Sequence, residues 1–223
     1  MTMQTEMTLA DLAVTHPTAS KVFHRRGLDY CCGGRRPLAE ACAAAGLDPA
    51  EILQEIHAAE AAEPRGESVA WQARPLPELI DFIVGHYHAR LREELPELVA
   101  LAEKVEQSHA GKDTCPCGLA DLLRQVHAAV LDHLAKEEQI LFPLILAGAG
   151  RRTAPPIQVM EHEHRDHGEN LARIRELTAD LTAPDEACPT WRALYLRLDA
   201  FESELMEHIH LENNVLFPRA LCE

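Results

Sequence analysis

The chain has 223 residues, of which 47% are hydrophobic and 4% aromatic, and its formal net charge is -15. This charge repels a phosphate backbone, so we do not expect a nucleic-acid partner. The sequence has no apolar run long enough to cross a bilayer and no basic, then apolar, secretion signal at its start, so we expect a cytoplasmic protein without a membrane partner.

Residue usage favours helices. Alanine, leucine, glutamate and arginine are common, while β-branched and aromatic runs are few. Seven cysteines are present, an odd number without the spacing of a disulfide framework, and we expect reduced thiols. The cysteines are Cys31, Cys32, Cys42, Cys115, Cys117, Cys188 and Cys222.

Cap and turn residues divide residues 1–60 into four short helices, which we predict to form a small domain. Thr8 is a good N-cap for the first helix, and Asp48 followed by Pro49 is typical of the start of the fourth. The second and third helices end close to glycines, which favour the conformation found after a helix. The predicted starts are residues 8, 18, 37 and 48.

A linker is predicted at residues 61–75, which contain two prolines and a glycine, with Trp71 anchoring it against one of the domains. The second domain, residues 76–223, contains four long amphipathic segments. Such helices should pack as an up-down-up-down four-helix bundle, making the chain all-α. Pro96 should kink or split the first helix. The predicted bounds are 76–108, 118–146, 156–181 and 189–215.

Polar side chains interrupt the apolar stripe of each long helix. A buried carboxylate is costly unless it is paired or bound to a metal. Residues four apart on a helix face the same point, so a histidine and a glutamate at that spacing can bind one ion. The interruptions are His88 on the first helix, His133 and Glu137 on the second, His164 on the third, and His208 and Glu212 on the fourth.

Two of these helices carry copies of one motif. HLAKEEQILFP at 133–143 and HIHLENNVLFP at 208–218 both read H-x3-E-x3-LFP. The repeat predicts a pseudo-two-fold dinuclear site, in which each glutamate bridges two metals and each metal takes two histidines. Imidazole with carboxylate suits iron, although zinc and manganese also remain open. The alternative, ordinary core polar residues, is disfavoured by the duplication.

These motifs resemble a known family. Residues 76–223 resemble a hemerythrin-like domain, of which H-x3-E followed by LFP is the most specific signature. The segment DYCCGG at 29–34 resembles the small domain of the ScdA/YtfE group, described as repair of iron centres proteins. Together the two resemblances cover nearly the whole chain.

The resemblance implies a pair of non-haem iron ions, bridged by Glu137 and Glu212 and by an oxo or hydroxo group. Of His86 and His88, the latter fits both the helical stripe and the family position. The implied iron ligands are His88, His133, Glu137, His164, His208 and Glu212.

The resemblance also implies repair of iron-sulfur clusters damaged by nitrosative or oxidative stress, by donation of iron. The partners would be damaged or apo iron-sulfur proteins, with nitric oxide or oxygen as small ligands, and the chain a monomer or homodimer. Two alternatives stay open: reduction of nitric oxide to nitrous oxide, and a sensor or store. Met160 and Gly168 lie four residues from His164, where oxygen carriers have another histidine, which disfavours reversible oxygen carriage.

Three further residues are candidates for chemistry. Cys31 and Cys32 precede two glycines, and we predict that they form an exposed dithiol with a redox or iron-passing role. Nearby arginines should lower the pKa values of these thiols. The alternative is an ordinary exposed turn that happens to contain two cysteines. Glu163 could shuttle protons or orient a ligand, or it could be a solvated carboxylate. His167 is expected to be a core histidine with satisfied hydrogen bonds.

Overall fold

A computed structural model describes residues 5–62 and 71–222 of the chain, so residues 63–70 of the predicted linker lie outside the described residues. Within these two ranges the regular elements are helical, and the one strand-like contact is an isolated bridge between Thr8 and Pro37. The all-α prediction is therefore confirmed. In the same ranges no helix has the length and apolar character needed to cross a bilayer.

The first part of the chain forms the four predicted short helices. Thr8 caps the first, its hydroxyl accepting a hydrogen bond from the Asp11 N–H over 3.1 Å. Gly46, which follows the third, has the expected left-handed conformation. The Asp48 carboxylate accepts from the Ala50 N–H over 2.8 Å at the start of the fourth. The helices are α1 (Leu9–Thr15), α2 (Ala19–Arg25), α3 (Leu38–Ala45) and α4 (Pro49–Ala62).

Four longer helices follow, and π-helical turns interrupt three of them. The first bundle helix comprises α5 (Leu76–Phe82), a π segment (Ile83–His88) and α6 (Ala89–His109). The second comprises α7 (Leu119–Lys136), a π segment (Glu137–Leu141) and α8 (Phe142–Leu146). The third is α9 (Ala154–Leu177), and the fourth comprises α10 (Pro189–Leu211), a π segment (Glu212–Leu216) and α11 (Phe217–Ala220). The first helix packs against the second and fourth, and the second against the third.

The first bundle helix is not split at Pro96. α6 runs through Pro96 without a break. The proline lies on the exposed face, so water can reach the carbonyl that its missing N–H leaves free. Leu95 and Leu98, fully buried on the other face, hold the helix against its neighbours.

The third bundle helix ends at Leu177, four residues before the predicted end at 181. The Thr178 hydroxyl donates to the Ile174 carbonyl over 2.7 Å and accepts from the Leu181 N–H over 3.2 Å, which turns the chain away from the helix axis. Residues 179–181 have positive φ angles, a conformation that a continuing right-handed helix excludes.

The π segments shift the buried stripe by one residue. On the second bundle helix the apolar periodicity of the sequence predicts that Ile140 lies in the core, yet this side chain is 53% exposed, and Leu141 is buried instead. A π turn adds a residue to the helix, so the regular period fails after it. Pro143 and Pro218 follow two of these segments; proline has no N–H to donate, so the regular bonding pattern is lost there in any case.

The small helical part and the bundle share one continuous apolar core. Phe23 and Tyr30 of the first part belong to the same buried cluster as Leu198 and Leu205 of α10. Polar contacts add to this packing, since Ser20 donates to a Glu207 carboxylate oxygen over 3.1 Å. The CCGG loop is thereby held directly against the bundle.

Trp71 anchors the described end of the linker, as predicted. Its ring packs on Phe82 of the first bundle helix, with centroids 4.6 Å apart. Its carbonyl accepts a hydrogen bond from Arg219 over 2.9 Å.

Candidate metal centre

The six predicted residues converge inside the bundle as two overlapping groups. Within each group the four ligand atoms lie within 4.8 Å of one another, and every side chain is buried. Both groups contain the same two glutamates, so a histidine pair distinguishes one from the other. The groups are His88, Glu137, His208 and Glu212, and His133, Glu137, His164 and Glu212.

The π segments position this cluster. Glu137 and Glu212 are the first residues of two such segments, and His88 is the last residue of another. In each, a backbone N–H bonds to the carbonyl five residues earlier, for example Phe142 to Glu137. The wider turn rotates the following residues relative to a regular helix, and π turns of this kind are frequent at functional sites.

Three of the four histidines are held from outside the cluster by their Nδ1 atoms. Nδ1 of His88 lies 2.7 Å from Glu138, that of His133 lies 3.0 Å from Glu163, and that of His164 lies 2.8 Å from the Asn213 amide oxygen. Because these oxygens accept hydrogen bonds, the network assigns the proton to Nδ1 and leaves the Nε2 lone pair facing inward. Metal-binding histidines are commonly held this way.

The Nε2 atoms face one another in pairs. His88 and His208 approach to 3.2 Å, and so do His133 and His164. In the pair of His133 and His164, whose protons lie on Nδ1, two inward lone pairs at this distance repel unless a proton or a cation lies between them. Two nitrogens each about 2.1 Å from one ion, at an angle of about 100°, would lie about 3.2 Å apart. The spacing therefore fits an ion between each pair.

Glu137 supplies the clearest evidence that the cluster fits a cation. Its side chain is 0% exposed, and neither carboxylate oxygen has a hydrogen-bond donor among the described residues. Burial, together with the charge of the nearby Glu212, raises the pKa of Glu137 well above its usual value. A buried carboxylate without a donor is expensive, and a bound metal ion removes that cost.

Burial keeps two of the histidines, His88 and His133, in the form that binds metals. It lowers the pKa of His88 to about 4, with a further contribution from His208, and it lowers the pKa of His133. Both imidazoles are therefore neutral near pH 7, and metal ligation requires the neutral ring. His86, the other candidate on the first helix, is exposed and stacks on Phe82.

Glu163 lies against a predicted ligand. Its carboxylate accepts from His133 and from Lys136. The hydrogen bond from His133 is the main cause that lowers the pKa of Glu163 to about 2, against the opposing effect of burial. The carboxylate is thus ionised throughout the physiological range.

Sequence reasoning missed two of the supporting residues, Glu138 and Asn213. Each immediately follows a motif glutamate, Glu137 or Glu212, and so occupies the same position in the H-x3-E repeat. Each also holds a histidine of another helix. The repeat itself was therefore the signal that could have found them.

The cysteine pair is less exposed than predicted. Cys31 is 5% exposed and Cys32 is half-buried. The pKa of Cys31 is raised rather than lowered, mainly by the hydrogen bond with Cys32 and by burial. No arginine contributes to this shift of the Cys31 pKa, and Arg26 pairs with Glu55 instead.

The pair nevertheless lies beside the cluster. The two sulfurs are 3.7 Å apart, and the Cys31 thiol donates to Asp29 over 3.4 Å. The Cys32 thiol donates to the backbone carbonyl of His164 over 3.4 Å. With Asp29, the two sulfurs form a third group of possible metal ligands.

His167 does not have the satisfied hydrogen bonds that were expected. It is 3% exposed, and neither ring nitrogen has a partner in the described part of the chain. Its ring packs edge-on against His133, with centroids 5.0 Å apart. Burial lowers the pKa of His167 to about 3, so the ring is neutral.

Comparison with known families agrees with this geometry. Residues 78–220 match a model described as hemerythrin HHE cation binding domain. Residues 5–60 match the ScdA_N model, described as a domain of unknown function (DUF542). The buried histidine and glutamate groups thus lie in a region that matches a cation-binding domain.

Similar full-length proteins carry one name. The chain is 48% identical over 216 residues to the iron-sulfur cluster repair protein YtfE of Musicola paradisiaca (strain Ech703), covering 97% of this chain and 96% of that protein. It is 47% identical to the protein of that name from Dickeya chrysanthemi (strain Ech1591), covering 97% of both chains. For Yersinia pseudotuberculosis serotype O:1b (strain IP 31758) the identity is 48%, with 96% of both chains covered.

Proposed function

The chain belongs to the family of iron-sulfur cluster repair proteins with a hemerythrin HHE cation binding domain, and from this premise we propose that it repairs iron-sulfur clusters damaged by nitrosative or oxidative stress by donating iron. The observation that carries the proposal is the buried carboxylate of Glu137, which has no hydrogen-bond donor within residues 5–62 and 71–222 and lies between two histidine pairs. Damaged or apo iron-sulfur proteins would be the acceptors.

Two iron ions would share the two glutamates. His88 and His208 would hold one ion, and His133 and His164 the other. One oxygen of Glu137 lies 3.4 Å from His88 Nε2 and 3.5 Å from His133 Nε2, as suits a carboxylate that bridges both positions. Mixed imidazole and carboxylate ligation favours iron over metals that prefer thiolates.

The proposed role of Glu163 is to orient His133. A carboxylate with a pKa of about 2 holds no proton near pH 7, so it is poorly suited to shuttle one. Its hydrogen bond to Nδ1 fixes the ring and makes Nε2 a stronger ligand.

The proposed role of Cys31 and Cys32 is to receive iron as it leaves the centre. A cleft of about 190 Å³ borders both cysteines and reaches the fourth bundle helix at Asn213 and Asn214. Three possible ligand atoms gather there, from the two thiols and Asp29. Thiolates are good ligands for iron in clusters, so the pair could pass iron to an acceptor.

Iron transfer to a purified apo iron-sulfur protein tests this function. The iron-loaded chain should restore the acceptor's cluster when sulfide is supplied, and the Cys31→Ala/Cys32→Ala variant should transfer much more slowly while it still binds iron. Cys115→Ala/Cys117→Ala is the matched control, because it removes another closely spaced pair on a loop of the bundle. Equal transfer by all three proteins would contradict the role of the dithiol, and no transfer by the unmodified chain would contradict donation.

Reduction of nitric oxide is a second candidate, favoured by the number of ligands. Each group offers four protein ligand atoms, and Met160 and Gly168 supply no imidazole beside His164. A metal with so few protein ligands has room for a small molecule. The reaction consumes two molecules of nitric oxide and two protons and yields nitrous oxide and water, and its two electrons would come from two ferrous ions, each oxidised to the ferric state. Nitrous oxide formed over many turnovers would support it; a single-turnover yield would favour donation or storage.

A further inference from the structure

Beside the direct contact of Cys32 with the His164 carbonyl, the Asn213 side chain joins the cysteine pair to the metal cluster, and what it does rests on the function proposed above. The Asn213 amide oxygen accepts from Nδ1 of His164 over 2.8 Å. The amide nitrogen of the same side chain donates to the Cys31 carbonyl over 3.1 Å. A single planar group therefore fixes the orientation of a proposed iron ligand and the position of the cysteine loop.

The other histidines are supported from within the bundle. Glu138, which holds His88, pairs with Arg92 over 2.8 Å. Glu163, which holds His133, pairs with Lys136. Nδ1 of His208 has no hydrogen-bond partner in the described ranges. Of the four, His164 is thus the histidine whose support reaches the small helical part of the chain.

The loop at residues 29–33, here called the dithiol loop, is held together by the side chain of Asp29. The Asp29 carboxylate accepts from the backbone N–H groups of Cys32 and Gly33, each over 2.9 Å. A side chain at Gly33 would meet this carboxylate at 2.9 Å, so the loop is packed tightly around it. A group that binds both sulfurs must also displace the Cys32 thiol from the His164 carbonyl.

We propose that Asn213 is a positioning residue that couples occupation of the Cys31–Cys32 dithiol to release of iron from the position held by His133 and His164. Loading the dithiol shifts the Cys31 carbonyl, Asn213 follows it, and His164 loses the acceptor that orients its ring. Loss of such an outer partner weakens metal binding by about 10- to 100-fold. The position held by His88 and His208 has no such link to the described part of the small helical region, so the two irons should leave at different rates.

Substitutions at Asn213 distinguish its hydrogen bond with His164 from its hydrogen bond with the Cys31 carbonyl. Asn213→Asp keeps an acceptor for His164 and removes the donor to Cys31. Asn213→Ala removes both. Asn214→Ala is the matched control, because the adjacent Asn214 donates to the Tyr30 carbonyl over 3.4 Å and contacts His210, neither of which is a proposed ligand.

Phenylarsine oxide is a suitable probe for the dithiol. Two S–As bonds form, the As=O oxygen leaves as water with the two thiol protons, and no electrons are exchanged. The experiment uses the full chain in a Cys115→Ala/Cys117→Ala background, which leaves Cys31 and Cys32 as the closely spaced pair. The iron content of each protein is measured first, and loss of iron to an excess of a coloured ferrous chelator is then followed with and without the arsenical.

The background protein should lose both irons slowly, and the arsenical should accelerate one of them by at least about tenfold. Asn213→Ala should show one fast iron without the arsenical. Asn213→Asp should release both irons slowly, with the arsenical changing either rate less than about twofold. Asn214→Ala should behave like the background.

Two results would overturn the coupling alone: equal release of both irons in Asn213→Ala, or an undiminished response to the arsenical in Asn213→Asp. A background protein that takes up no iron would overturn the proposed function and the coupling with it. The initial iron content distinguishes these cases.

Discussion

The two halves of the bundle are built from the same helices but are held together differently. In one half, α6 and α10 are regular and bring apolar side chains such as Leu98, Trp191 and Leu198 into contact, each almost fully buried. In the other half, π turns interrupt three helices, and six buried histidines and glutamates interrupt the apolar stripes. Packing in the apolar half therefore offsets the burial of histidines and glutamates in the polar half, which is unfavourable without a cation.

The sizes of the two effects support this view. Full burial of a leucine or a phenylalanine contributes about 1.5–3 kcal/mol. A buried polar group without a partner costs about 1–3 kcal/mol in proteins. Burial of a few core residues therefore offsets the cost of burying Glu137 in the metal-free chain. Bound ions remove this cost, which adds to the free energy of metal binding.

The largest expected effect is loss of metal from the polar half. Glu137→Ala combined with Glu212→Ala removes both carboxylates that the two groups share, so we expect iron content to fall from two per chain to near zero. Elemental analysis of protein loaded under anaerobic conditions measures this. Unchanged stoichiometry would contradict the bridging assignment.

The apolar half should respond in the opposite way. Leu98→Ala leaves a cavity in a fully buried site, and we expect a loss of about 2–5 kcal/mol in the free energy of unfolding. Iron content should stay at the unmodified level, because Leu98 lies ten residues from His88 along the helix. Denaturant titration and metal analysis of the same sample check both statements; loss of iron in this variant would show that the halves are not separable.

A smaller effect is expected at the edge of the cluster. Glu163→Gln keeps the shape of the side chain but weakens the hydrogen bond to His133, and we expect iron affinity to fall by about tenfold or somewhat more. Chelator competition measures the change. Glu169→Gln, on an exposed face of the same helix, is the control and should leave affinity unchanged.

An effect of the opposite sign, a gain in stability, is expected for the metal-free chain. The raised pKa of Glu137 means that its proton stabilises the metal-free fold below about pH 4.5, and that this contribution is lost as the pH rises through the folded-state pKa. At pH 7 metal-free Glu137→Gln should therefore be more stable than the unmodified metal-free chain by about 1–3 kcal/mol.

The difference between these two proteins should shrink as the pH falls towards 4.5. The buried histidines with lowered pKa values titrate in both proteins, so their effect cancels to first order. Thermal unfolding of both metal-free proteins across this range checks the prediction. Equal stability at pH 7 would mean that buried Glu137 does not destabilise the metal-free fold.

The sequence predicted those features that depend on one helix at a time. The stripe positions of His164, His208 and Glu212 followed from periodicity, and all are buried. The caps at Thr8 and Asp48 followed from local hydrogen bonding. Neither inference requires knowledge of a neighbouring helix.

The sequence did not predict irregular turns within a helix or contacts between two helices. A π turn breaks the regular period, which is why Ile140 was placed in the core. The burial of Cys31 arises from docking of the small helical part on the bundle, and no local pattern reports that contact. The contact between Asn213 and His164 joins two helices and could be found only from the repeat.

Mössbauer spectroscopy with metal analysis, on protein isolated anaerobically under reducing conditions, tests the central claim most directly. We expect two irons per chain with the signal of a coupled pair, and we expect both irons to be lost in the Glu137→Ala/Glu212→Ala variant. A chain that contains zinc, or a single uncoupled iron, would contradict it.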